Sequence, residues 1–80
     1  MNDTVFATPV LINLGAMGLR LVSSVWEALE CLRSQWPRQD CLEYRRATRI
    51  CLDALEGWIS AAKARKAFAL AAKQAGVLVA

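Results

Sequence analysis

An α+β domain, in which an N-terminal β-hairpin packs with three helices, is the fold class that this sequence predicts. Three observations predict it. Two short apolar runs rich in strand formers flank a Gly-containing loop near the N-terminus. Three stretches then carry apolar stripes at helical spacing. Start and stop signals bound those stretches. Ser24-Val-Trp-Glu27 and Asp40-Cys-Leu-Glu43 open the first two, Ser60 opens the third, and Gly57 and Gly76 close the last two.

Residues 1–7 carry little pattern and read as a loose arm, which leaves a single domain over residues 8–80. Pro9-Val-Leu-Ile-Asn-Leu14 is the first strand, with Pro9 as its first residue, where a missing N–H costs nothing. Gly15-Ala-Met-Gly18 is the turn. Leu19-Arg-Leu-Val22 alternates, with Leu19 and Leu21 on one face and Arg20 on the other. A lone hairpin is not stable in water, so it must lie against the helices.

Helix one is expected from about Val25 to Gln35, with Val25, Leu29, Leu32 and Trp36 as its stripe. Ser24 and Glu27 form a reciprocal capping box, and Pro37 stops the helix. Helix two is expected from about Cys41 to Glu56. Tyr44, Ala47, Cys51, Ala54 and Trp58 make its stripe, widened by Ile50 and Leu55. Glu43 with Arg46, and Arg49 with Asp53, are at pairing distance on the other face.

Helix three is expected from about Ala61 to Ala75. Its stripe is Ala61, Ala64, Phe68, Ala71, Ala72 and Ala75, so Phe68 is its one large side chain. The opposite face holds Lys63, Arg65, Lys66 and Lys73. Val77-Leu-Val79 either adds a third short strand to the hairpin or covers the core.

These same residues carry a family resemblance. Ser24, Glu27 and Ala28 open helix one, and Trp36-Pro37 follows it. Tyr44-Arg45-Arg46-Ala47 and Cys51-Leu52, then Ala54-Leu55-Glu56-Gly57, make up helix two. Ala64-Arg65, Ala67-Phe68 and Ala75-Gly76 mark helix three. In this order and spacing, over about residues 9–79, the chain resembles the small bacterial domain-of-unknown-function family 982. The resemblance implies a small cytosolic α+β domain without an assigned activity, and it transfers no catalytic residue.

Composition narrows the function. Apolar residues are 56% of the chain, more than an 80-residue monomer readily hides, which points to a homodimer. The chain contains no histidine, so it lacks the commonest general base and the commonest metal ligand. Its serines have no imidazole to activate them, and Asp53 with Glu56 offers too few ligands for a metal. No enzyme, no metal and no cofactor is expected. Cys31, Cys41 and Cys51 match no disulfide or zinc spacing and read as free thiols in a reducing cytoplasm. Cys41 is singled out because it opens a helix, although no neighbouring base supports it. Neither an export signal nor a membrane anchor is apparent.

Two surfaces are worth testing. Trp26 sits one residue off the helix-one stripe; with Met17 it makes a candidate interaction patch. Arg45, Arg46, Arg49, Lys63 and Lys66 form a candidate basic face, which a nucleic-acid-binding protein would use. Glu43, Asp53 and Glu56 interrupt that face, and no aromatic interleaves it. A solvated, salt-bridged face is the plainer account. The expectation is therefore a non-enzymatic protein-interaction or regulatory module with an unidentified protein partner. Nucleic-acid binding is the alternative.

Overall fold

The computed structural model describes residues 4–15, 18–34 and 36–79. Strand β1 (Val5–Asn13) pairs antiparallel with β2 (Leu19–Ser24), and helices α1 (Val25–Ser34), α2 (Leu42–Leu55) and α3 (Ala61–Ala75) follow. Together they make the α+β hairpin and three helices that the pattern predicts. Helix α3 lies on β1, α1 lies on β2, and α2 packs over α3 and α1. Val10 pairs with Val22, Leu11 with Leu21, Ile12 with Arg20 and Asn13 with Leu19. The loop closes where Leu14 N–H donates to the Gly18 carbonyl at 2.9 Å.

Because successive strand residues alternate in direction, Phe6, Val10, Ile12 and Val22 enter the core together. The same alternation puts Leu19 and Leu21 outside. Across the other edge of β1, Leu78 makes an isolated antiparallel bridge with Ile12. Asn13 N–H donates to the Val77 carbonyl at 2.8 Å, and Val79 N–H donates to that of Leu11 at 2.9 Å.

The arm expected over residues 1–7 is shorter than the sequence suggests. β1 starts at Val5, and Phe6 is only 4% exposed. Val25 N–H donates to the Thr4 carbonyl at 2.8 Å, which ties this end to the start of α1. Pro9 is not the first strand residue. It sits in an irregularity where five steps along β1, Val5 to Val10, face two along β2, Ser24 to Val22. Such a bulge tolerates a residue without an N–H. Residues 1–3 lie outside the described residues.

The helix caps follow the sequence in part. At α1, Ser24 Oγ accepts from Glu27 N–H at 3.2 Å. The return bond falls one residue earlier than expected: Glu27 Oε1 accepts from Ser23 N–H at 2.9 Å and from Ser23 Oγ–H at 2.7 Å. β2 runs directly into α1, so the strand's last two residues share the capping. Those two hydrogen bonds from Ser23 hold the Glu27 carboxyl below the usual carboxylate range. At α2 the Asp40 box does not form. Cys41 is the N-cap in extended geometry without a side-chain cap, and its thiol donates instead to Gln74 Oε1 at 3.1 Å. Ser60 caps α3 through Lys63 N–H at 3.3 Å.

Gly57 ends α2 as expected. Its φ of 87° reverses the chain, its N–H reaches the Ala54 carbonyl at 3.1 Å, and Trp58 N–H reaches that of Asp53 at 2.9 Å. This is the paired bonding of a Schellman motif. It also overturns the place given to Trp58. Past a left-handed residue the helical period is broken, so Trp58 leaves the α2 stripe and is 80% exposed.

The core sits between the hairpin and the helices. Val25, Leu29 and Leu32 of α1, Ala47, Cys51 and Ala54 of α2, and Ala61, Ala64, Phe68, Ala71 and Ala72 of α3 are all buried. Phe68 meets Trp36 with ring centroids 5.4 Å apart, tilted at 49°. Tilted aromatic pairs of this kind add to plain area burial.

Two predictions follow from this packing. Phe68→Ala leaves a hole that flanking alanines cannot fill and should cost ~3–5 kcal/mol in denaturant melts, a large part of a small domain's stability. Glu27→Gln should lower stability at neutral pH, and the gap should close on acidification. A carboxyl held below its unfolded value of 4.5 stabilises the fold above that value. The contribution is lost as pH falls through the folded value. Paired thermal melts between pH 7 and pH 3 measure it; a gap that stays constant with pH rules out the carboxylate bonds as its source.

Candidate interaction surfaces

Three faces of this fold present exposed apolar surface or a groove. The first is the outer face of the sheet. Leu11 and Leu21 stand opposite each other on it, as do Asn13 and Leu19. Val77 and Val79 flank them, because Leu78 pairs inward with Ile12. Leu19, Leu21 and Val79 are 66%, 57% and 52% exposed. The one charged residue of β2, Arg20, points to the helix side, where its guanidinium lies 3.6 Å from the Glu30 carboxylate of α1. The described outer face therefore carries no charge.

The second is a groove between α2 and α3 with a volume of about 740 Å³. The two helices run antiparallel: Cys41 at the start of α2 touches Gln74 near the end of α3. Ile50, Ala67 and Leu70 form an apolar floor, with Leu70 more than half exposed. Arg46, Lys63, Lys66 and Lys73 rim it, against the single carboxylate of Glu43. On α3 the spacing of Lys63, Lys66, Leu70 and Lys73 puts all four on one stripe. That spacing is the sequence signal for the place of Leu70 in the groove.

The third is a groove of about 770 Å³ beside the first half of β1, lined by Thr8, Trp58, Ser60, Ala62 and Arg65 among others. Arg65 closes it toward the strand, because its guanidinium donates to the carbonyls of Thr8 and Pro9. Those are outward carbonyls on a strand edge, which need a donor.

The structure divides the predicted basic face. Arg46, Lys63 and Lys66 come together at the α2–α3 groove. Arg45 and Arg49 do not line it, and Arg49 pairs with Asp53 at 3.5 Å. Arg65 leaves the face for β1. The expected Glu43–Arg46 pair does not form: among the described residues the two ion pairs are Arg20–Glu30 and Arg49–Asp53. Of the predicted patch, Trp26 is 59% exposed on α1, and Met17 lies outside the described residues.

The thiols differ sharply. Burial pushes Cys51 up to about 12 and also raises Cys31, helped by the nearby carboxylates of Glu27 and Glu30 against Arg20. Both are buried in the core, whereas Cys41 is partly exposed.

A hairpin followed by three helices, with two grooves and a bare sheet face, defines a small α+β domain. The chain belongs to the family described as "Protein of unknown function (DUF982)", whose model matches residues 8–79. It is also similar to the Agrobacterium tumefaciens protein Atu1219, whose structure was determined by NMR. The two are 33% identical, with a TM-score of 0.80 over 99% of this chain and 79% of that one. No curated protein matches the chain at a significant level.

The burial of two thiols yields a direct expectation. Under native conditions a disulfide reagent should titrate one thiol per chain, Cys41, and all three only after denaturation. Rapid native reaction of more than one would show that the core around Cys31 or Cys51 opens readily.

Proposed function

We propose that this chain is a non-enzymatic protein-interaction module that works as a homodimer, joined through the outer face of its sheet. One observation carries this reading: Leu19, Leu21 and Val79 stand bare on a face whose described residues carry no charge. A two-fold dimer sets one patch against its own copy, so a patch with charges of a single sign would face like charges across the interface. An uncharged apolar face meets no such penalty. Grouped apolar exposure of this kind marks contact sites in soluble proteins. Two sheets packed face to face at about 10 Å would exclude water from both hairpins.

Further support comes from the chemistry. The sequence has no histidine, and the buried thiols of Cys31 and Cys51 are held protonated rather than activated. Free cysteines suit a reducing compartment, so the reading places the protein in the cytoplasm. Among the described residues, no helix is long and apolar enough to cross a membrane.

The face is small. Two strands and one bridged segment span less than the ~800 Å² per partner of a standard interface. Association in the micromolar range is therefore expected, visible as a concentration dependence. Sedimentation should approach twice the 8.8 kDa chain mass as concentration rises. Leu19→Glu with Leu21→Glu should hold the chain at monomer mass with an unchanged circular dichroism spectrum, since both positions are exposed. A monomer at every concentration, or a dimer indifferent to these changes, would sink the proposal.

A further inference from the structure

We propose that the groove between α2 and α3 is a docking site for an acidic amphipathic helix of a partner protein. This goes beyond self-association and does not rest on the dimer face. The first argument is charge. Arg46, Lys63, Lys66 and Lys73 surround the groove, and neither ion pair of the described residues involves any of them. The Glu43 carboxylate is also on the rim without pairing to Arg46. Cations spaced three and seven apart on one helix face repel each other mildly. Carboxylates from outside would relieve that repulsion and complete the pairs that the chain itself leaves unmade.

The second argument is the floor. Between the cations, Ile50, Ala67 and Leu70 present apolar surface, with Leu70 53% exposed. A purely electrostatic site has no use for a half-bare leucine at its centre. An apolar stripe flanked by acids matches floor and rim together, and a helix carries such a stripe at i, i+3, i+4 and i+7.

The third argument is shape. Two antiparallel helices leave a cleft into which a third can pack at about 8–10 Å between axes, and the small side chain of Ala67 permits close approach. From Lys63 to Lys73 the rim is about 15 Å long, which is close to three turns of a docked helix.

Other occupants fit less well. Nucleic acid would answer the cations with phosphates but leave Leu70 and Ile50 uncovered, and the groove offers no aromatic on which a base could stack. A second copy presenting the same groove would set four cations against four. An anionic lipid surface is flat and would not enter a cleft between helices.

Two phage-displayed libraries test the proposal. Each holds amphipathic helices of about 18 residues, long enough to be helical when docked. Their apolar anchors are randomised and flanked in one library by glutamates and in the other by lysines. Selection on the full chain should enrich the acidic library. The selected peptide, fluorescein-labelled and followed by anisotropy at about 150 mM salt, should lose at least tenfold in affinity with Lys66→Glu plus Lys73→Glu, and likewise with Leu70→Asp. All three positions are exposed, so circular dichroism should be unchanged; Lys66→Ala plus Lys73→Ala gives a milder second variant. A scrambled peptide of the same composition should bind at least tenfold more weakly. The sheet-face variant Leu19→Glu with Leu21→Glu should bind the selected peptide as the unaltered chain does, which separates failure here from failure of the dimer. Several results would overturn the proposal. These are no preference for the acidic library, indifference of binding to Leu70→Asp, equal binding of the scrambled peptide, or tighter binding of duplex DNA or phosphatidylserine vesicles than of the selected peptide.

Discussion

Helix α3 packs against β1, α1 and α2 at once, and its buried face permits this because it is almost all alanine. Ala61, Ala64, Ala71 and Ala72 let neighbouring backbones come close, which small side chains allow and bulky ones forbid. The cost is area: alanine buries little, so such a face would stabilise the fold weakly by itself. Phe68 offsets this. It is fully buried, it is the one large side chain on that face, and it meets Trp36, which follows α1. A single aromatic contact thus ties α3 to the segment after α1, while alanines bring sheet and helices into reach. Much of the remaining fold depends on this arrangement.

The local rules were legible because they act over a few residues. Ser60 and Gly57 mark helix ends through bonds to their own turn, and the apolar stripes of α2 and α3 are periodic whatever surrounds them. The parts that were not legible are those that distant contacts decide, or where a local stop overrides a periodic pattern. Phe6 lies before a proline that looks like a strand start. Only the bulge opposite Ser23, and the bond from Val25 to Thr4, make it a core residue. Trp58 continues the α2 spacing in sequence, yet the reversal at Gly57 throws it outward. Cys41 rather than Asp40 holds the cap position, and its thiol has a partner 33 residues away on α3.

The candidate surfaces show the same division. Alternation alone separates Leu19 and Leu21 from Arg20 but does not say which side the helices cover. Two contacts settle it: Val22 enters the core, and Arg20 reaches Glu30 on α1. The basic residues also looked like one face in sequence. Folding sorts them by what each can reach. Arg65 finds strand carbonyls and Arg49 finds Asp53. What remains unpaired beside an apolar floor is the set around Leu70.

That sorting leaves the molecule with two surfaces of opposite electrostatic character. The described sheet face has no charge and so would not repel its own copy. The helix groove carries four cations, so a second copy of it would be repelled and an acidic helix attracted. Repulsive elements of this kind set specificity as much as attractive ones do. The surfaces also lie on different elements, β1 and β2 for one and α2 and α3 for the other, so occupying one leaves the other open. A dimer joined at the sheets would then present two grooves. A partner with two acidic helices on a linker of suitable length would gain affinity from the second contact without any new chemistry in the first. Self-association would in this way strengthen a groove that is shallow in a single chain.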